Sequence, residues 1–391
     1  MLAIPGPSVM PDRVLQAMHR PAPNIYAGQL VEMTASILPD LKAVAKTEGE
    51  VAMYISNGHG AWEAALSNTL SRGDKVLVFA TGRFAQGWAD MAAMMGVECE
   101  IVDFGKRAPI DMAKAEEALH ADKAHEYKAV LAVQVDTSTS IKSDIGALRK
   151  AMDAAGHPAL LMVDCIACLG CDDFEMDAWG VDVMVTGCQK GLMTPPGMAF
   201  VYFSEKADTA RETANNVTHY WDWRPRCRPE EYYQHFDGTA PTHHLYGLRE
   251  ALDMIVHEEG LENVLARHAV LARAVWAAFD AWGAEGPIEL NVEDPKHRSN
   301  AVTSIRIGSP HGTALRDWVA DEAGLTLGIG LGMAPPGDPA WHGFFRVGHM
   351  GHVNAQMMLG TLGTIEAGLN ALSIPHAPGG VAAAAKVISG A

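Results

Sequence analysis

The stretch 160–203, LLMVDCIACLGCDDFEMDAWGVDVMVTGCQKGLMTPPGMAFVYF, decides the fold. Three apolar runs punctuate it. LLMV ends on Asp164, VDVMVTG leads to Gln189 and Lys190, and MAFVYF closes the segment. Short apolar runs of this kind read as strands buried on both faces. If successive strands lie parallel, their carboxyl ends open along one edge of the sheet, where open α/β proteins bind ligands. Asp164 and Lys190 then face one crevice from two different strand ends.

The same pattern extends upstream. VAMYI (51–55) is followed by the turn and helix of SNGHGAWEAALSNTL. KVLVFA (75–80), RFAQGWADMAAMMG and VECEIVDF (97–104) give strand, helix and strand. KAVLAVQV (128–135) and SDIGALRKAMDAAG add one more strand and helix. This alternation is the βαβ signature of a largely parallel sheet. Before it, PDRVLQAMH starts a short helix behind Pro11, and LVEMTASILPDLKAV is an amphipathic segment that Pro39 is expected to kink or split.

Downstream, the region 205–237 is polar and aromatic and reads as an irregular excursion. Two helical stretches follow, HHLYGLREALDMIVHEEG and GLENVLARHAVLARAVWAAFDAWG, punctuated by Gly260. AVTSIRI (301–307), TLGIGL (326–331) and FFRV (344–347) then alternate with helices. The expected architecture is α/β: a large domain with a mostly parallel sheet flanked by helices, and a smaller α+β C-terminal domain. The divisions fall at 1–20 (an N-terminal segment packed with the small domain), 21–259 (large domain), 260–373 (small domain) and 374–391. The last is low in complexity and reads as a flexible tail.

Composition narrows the function. The chain has 391 residues, 48% hydrophobic and 20% charged, as ordinary globular proteins do. A net charge of −17 argues against nucleic acid, whose phosphates need clustered Lys and Arg. No apolar run reaches membrane-spanning length, and MLAIPGPSVMPDRV lacks a basic-then-apolar leader pattern. Six cysteines do not form a disulfide framework, so the cytoplasm is the expected compartment and the membrane is not a partner.

A buried Asp near a Lys able to form a Schiff base is what pyridoxal phosphate (PLP) chemistry needs. The Lys holds the aldehyde, and the Asp keeps the pyridine nitrogen protonated so that the ring can draw electrons. The pair alone does not separate such a site from a solvated lysine. The surrounding wording does. SNGHG at 56–60, VDCIACLGC around Asp164, TGCQKGLMTPPG at 186–197 and RVGHMG at 346–351 stand in this order, after IPGPSVMP at 4–11. Together they resemble the class V aminotransferases of PLP fold type I, in the branch that pairs serine, alanine or aspartate with glyoxylate. The QK-x-x-x-x-PPG element is the most specific piece.

The resemblance implies roles residue by residue. Lys190 carries the cofactor and, once freed, moves a proton at the substrate α-carbon, which needs a Lys of lowered pKa. Asp164 partners the pyridine nitrogen. Asn57, Gly58 and His59 open a helix where amide N–H groups meet the cofactor phosphate, with Asn where the family commonly has Ser. Phe84 matches the aromatic that lies flat on the ring, often Trp in the family. Among Thr137, Ser138 and Thr139, Ser138 is the best match for a hydroxyl near the ring oxygen. Ser140 stands where Gly is usual.

Gln189 matches a phosphate contact, and Thr239 a residue that reaches the phosphate of the neighbouring subunit. Phe236 stands where a Tyr is frequent, so that hydroxyl is missing. Shared sites of this kind imply a homodimer. Arg346 matches the grip on the substrate α-carboxylate. Arg83, beside Phe84, is a second cation that could pair the side-chain carboxylate of aspartate.

Two motifs read otherwise. Cys165, Cys168 and Cys171 form C-x2-C-x2-C without a nearby fourth ligand, and small buried thiols are the plainer account; no metal is expected. GIGLG at 328–332 lacks the βαβ context of a dinucleotide site. The expected reaction moves an amino group from aspartate, serine or alanine to glyoxylate, giving glycine and a 2-oxo acid. The alternatives are another class V enzyme with a different acceptor and a non-catalytic PLP-fold binding protein. A cysteine desulfurase would need a nucleophilic Cys late in the chain, and the last here is Cys227.

Overall fold

Residues 1–390 are described in a computed structural model of the chain. Seven strands form the larger sheet among the described residues. Their order is Glu50–Ser56, Gly197–Phe203, Val183–Gly187, Leu160–Asp164, Tyr127–Val133, Lys75–Ala80, Glu98–Asp103. From Val183–Gly187 outward to Glu98–Asp103 every pairing is parallel. Gly197–Phe203 runs antiparallel to both its neighbours. Two reversals restore direction, so Glu50–Ser56 points the same way as the parallel strands. The carboxyl ends of the strands leading to Asn57, Phe84, Thr137, Asp164 and Lys190 therefore share one edge.

The apolar runs form strands because both faces of this sheet are covered. Leu77, Phe79, Val130, Leu161, Val163 and Met184 belong to the core on one face. Their alternates Val76, Val78, Leu131, Met162 and Val185 belong to the core on the other. A period of two over a sheet packed on both sides yields an unbroken apolar run in sequence.

The smaller sheet runs Leu2–Ala3, Thr326–Ile329, Phe344–Gly348, Val302–Arg306, Glu289–Leu290. It is antiparallel except where Leu2–Ala3 joins Thr326–Ile329 in parallel. Its own core includes Phe279, Trp282, Ile305, Phe345 and Leu362. The chain thus begins in the small sheet. Helix Asp12–Met18 then returns to lie on helix Thr242–Leu252, where Arg13 pairs with Glu250 and Glu258.

One expectation is narrowed and another meets a different outcome. Pro39 does not split its helix, which runs unbroken from Gln29 to Ala45. A mid-helix Pro costs about 3 kcal/mol, and burial of Leu30, Ile37, Leu41 and Val44 along one face offsets it. The tail is not a loose end: Gly380–Ser389 is a helix packed against Leu261–Trp282. Its alanines favour helix intrinsically. Ala384, Val381, Val387 and Ile388 give it an apolar stripe on the small core. Ala391, the last residue of that expected tail, lies outside the described residues.

Candidate active site

A pocket with about 590 Å³ of empty space, its open mouth included, lies at the shared strand edge. Asn57, Gly58, His59, Trp62, Phe84, Thr137, Asp164, Gln189 and Lys190 line it, with Val135, Ile166 and Ala167. Most of the residues expected from sequence are thus brought together.

Asp164 ends its strand and is only 3% exposed. Its Oδ1 accepts from Ile166 N at 2.7 Å and its Oδ2 from Trp62 Nε1 at 2.9 Å. Burial pushes this carboxyl up to about 7, against the pull of those two hydrogen bonds. No cationic side chain bonds it among the described residues. A buried acid with neutral donors only, aimed into a pocket, suits a protonated ring nitrogen.

Lys190 follows the next strand. Burial, and then the nearby charge of Arg346, lower its amine to about 8. Its Nζ donates to the carbonyl of Pro5. The N-terminal segment is fastened over the lysine at two more points: Ser8 N donates to the Gln189 carbonyl at 2.9 Å, and Ser8 Oγ to the Lys190 carbonyl at 2.8 Å. Gly6 has φ +108°, and a Cβ there would lie 2.1 Å from Lys190 Nζ. Only a glycine fits that turn against that amine.

Asn57 caps helix Gly58–Thr69, its Oδ1 accepting from His59 N at 3.1 Å and Gly60 N at 3.5 Å. The side-chain amide therefore sits where the family's hydroxyl was expected. A Cβ on Gly58 would meet Ile166 Cδ1 at 2.4 Å, so glycine lets the helix start approach the turn after Asp164. His59 lies edge-on to Trp62 with centroids 4.7 Å apart. Partial burial, then Arg83, lowers its pKa.

Phe84 lines the pocket at the first turn of helix Arg83–Met94, its ring 6.2 Å from that of Trp62. Trp88, one turn on, is buried and stacks on Trp62 at 5.9 Å.

The expected residues Ser138 and Arg83 do not line this pocket, and Thr239, expected at a neighbouring subunit's site, stands apart from it. Ser138 is buried beside the pocket; its Oγ donates to Asp136 Oδ1 at 2.5 Å and accepts from Arg83 N at 3.1 Å. The member of this segment that lines the pocket is Thr137. Thr239 borders a separate cavity with Ile25, Tyr26, Tyr232 and Tyr233. Arg83 is exposed, packed by its Cβ against Gly332 rather than lining the pocket.

Ser140 adopts φ +60°, which explains why glycine is usual at this place. Here its Oγ donates to the Thr139 carbonyl at 2.6 Å and accepts from Ser304 N at 3.0 Å.

Arg346 is 6% exposed in the small sheet. Its Nε donates to the Ile329 carbonyl at 2.7 Å and its Nη1 to the Thr137 carbonyl at 2.8 Å. These bonds fix the guanidinium through Nε and Nη1, and Nη2 takes no part in either. Burial holds its pKa down to about 10.

The cysteine triplet lies in turns after the strand rather than in the strand itself. Cys165 and Cys168 both donate to Gln134 Oε1, at 3.4 and 3.0 Å. Sequence reading missed Trp62 and Asp136. Trp62 stands one turn behind SNGHG on the face toward Asp164, and that spacing is the signal that could have found it. Asp136 had no such signal.

Residues 37–347 match the family described as Aminotransferase class-V. The serine–glyoxylate aminotransferase of Methylorubrum extorquens is 38% identical, covering 99% of this chain and 95% of its own length. The L-aspartate–glyoxylate aminotransferase of Paracoccus denitrificans is 39% identical over 97% of this chain and 94% of its own. A crystal structure of alanine–glyoxylate aminotransferase from Nostoc sp. superposes with a TM-score of 0.84 at 26% identity, covering 94% of each chain.

Proposed function

The chain belongs to the class V aminotransferases, and on that footing we propose that it moves an amino group from a small L-amino acid to glyoxylate, giving glycine and a 2-oxo acid. Aspartate, serine and alanine are the donors in question. The observation that carries this reading is the pairing of a buried Asp164 with a pKa-lowered Lys190 in one pocket, with the buried Arg346 near enough for its charge to act on that amine.

Pyridoxal phosphate, when bound, supplies the electron sink that makes the donor's α-hydrogen acidic. The rest is done by the chain. Asp164 holds the ring nitrogen's proton, and the start of helix Gly58–Thr69 with Gln189 meets the phosphate. Phe84 covers the ring. Arg346 holds the substrate α-carboxylate and so orients the α-hydrogen. Lys190 Nζ, neutral in a useful fraction near pH 7, takes that proton and returns it one position away.

We also take the working unit to be a homodimer. Thr239 is exposed and borders its own cavity, which supports its serving a partner's site rather than its own. Six free cysteines support a reducing compartment, the cytoplasm. No helix among the described residues is long and apolar enough to cross a membrane. The domain division near Gly260 stands as part of this proposal.

The test is a two-step turnover. PLP-loaded protein is mixed with aspartate, serine or alanine and its visible band followed; glyoxylate is then added and glycine quantified. Bleaching by at least one donor, with recovery of colour and glycine after glyoxylate, is expected. Glycine formation with none of the three would overturn the reading.

A further inference from the structure

We infer that Asp136 is a positioning residue that locks the ring-covering aromatic and the carboxylate-binding arginine into one geometry; the inference rests on the functional reading above. Asp136 is fully buried. Its Oδ2 accepts from Phe84 N at 2.8 Å, and its Oδ1 from Ser138 N at 2.9 Å and Ser138 Oγ at 2.5 Å. One oxygen thus fastens the start of helix Arg83–Met94, and the other fastens the turn after strand Tyr127–Val133. The next residue, Thr137, lines the pocket and holds Arg346 Nη1 through its carbonyl.

Its cost marks it as more than a turn-former. A carboxylate buried without a bonded cation is expensive. A turn alone could be capped by a neutral Asn or Ser. Three donors converging from two elements need an acceptor-only group, and a carboxylate is the side chain that presents two such oxygens. The room is made to measure: a Cβ on Gly82 would lie 2.5 Å from Asp136 Cγ. Gly82 itself is extended, so its lack of a side chain serves the space and not the backbone angle.

Asp136→Asn is nearly isosteric but must turn an NH2 toward either the Phe84 N–H or the Ser138 donors, releasing one of the two. Gly82→Ala pushes the native carboxylate aside by a second route and stands in where the first variant folds poorly. Both are measured as holoenzyme. The readouts are PLP dissociation by equilibrium dialysis, donor KM and kcat at saturating PLP, and near-UV circular dichroism.

The expected result is PLP held at least ~10-fold more weakly and donor KM raised at least ~10-fold, with kcat within ~3-fold of the parent. PLP affinity and KM within ~2-fold of the parent in both variants would overturn the inference. So would a fall in kcat at unchanged KM and PLP affinity. The parent's own PLP band and glycine output report separately on the functional reading.

Discussion

Trp62 donates its indole N–H to Asp164 Oδ2 at 2.9 Å, so the side chain that steadies this carboxylate is a neutral aromatic and not a cation. That choice has a consequence. A bonded cation would hold the acid well below neutrality and compete with a ring nitrogen for it. The indole leaves it near the point where it can share a proton.

Trp62→Phe keeps an aromatic beside Phe84 and Trp88 but removes that donor. Asp164, freed of one hydrogen bond that favours its charged form, then protonates more readily. Turnover is expected to fall about 10-fold with PLP still bound, and stability by about 1–3 kcal/mol for the unsatisfied acceptor. Steady-state kinetics and thermal unfolding check both. Unchanged kcat would show that the indole serves packing alone.

Lys190 titrates near 8, mainly through burial and next through Arg346. At pH 7 roughly one amine in ten is then neutral, against about one in three thousand for an ordinary lysine. The rate of PLP attachment to the apoprotein should rise about tenfold per pH unit below 8 and level off above it. Arg346→Gln removes a positive neighbour, so its midpoint should move upward. A parent midpoint near 10, or a downward shift in the variant, would contradict this assignment.

Gly6→Ala places a methyl against the Lys190 amine at a φ that L-residues avoid. The lysine tip is flexible and can be displaced, so slower PLP attachment, by about 10-fold, is expected along with a loss of about 1–2 kcal/mol in stability. Stopped-flow absorbance and denaturant melts separate the two. Attachment at the parental rate would mean that the N-terminal segment does not stay over the amine.

Arg83 is exposed beside Phe84, its charge acting on His59 and its Cβ against Gly332. If its guanidinium pairs the side-chain carboxylate of aspartate, Arg83→Ala should cut kcat/KM for aspartate about 10-fold or more, the worth of a charge-assisted hydrogen bond. Serine turnover should change little. Equal losses for both donors would remove this role.

Much of this architecture was legible because strand ends carry the chemistry. Once LLMVD and VMVTGCQK read as parallel strands, Asp164 and Lys190 had to share an edge. What stayed hidden depends on contacts between distant segments. Ser138 matched by position, yet its hydroxyl is consumed by Asp136, two residues away, and Thr137 takes the pocket wall. Asp136 carried no signal of its own because its partner Phe84 arrives from a separate helix, 52 residues away in the chain. The C-terminal helix was masked by its alanine-rich composition, since its stability comes from docking on Leu261–Trp282.

The central claim is that Lys190 is the residue that bears the cofactor. Borohydride reduction of the PLP-loaded protein, followed by peptide mass mapping, tests it most directly. The account predicts the pyridoxyl mass on the peptide containing Lys190 and no label in Lys190→Ala. Label on a different lysine, or none in a protein that still makes glycine, would contradict it.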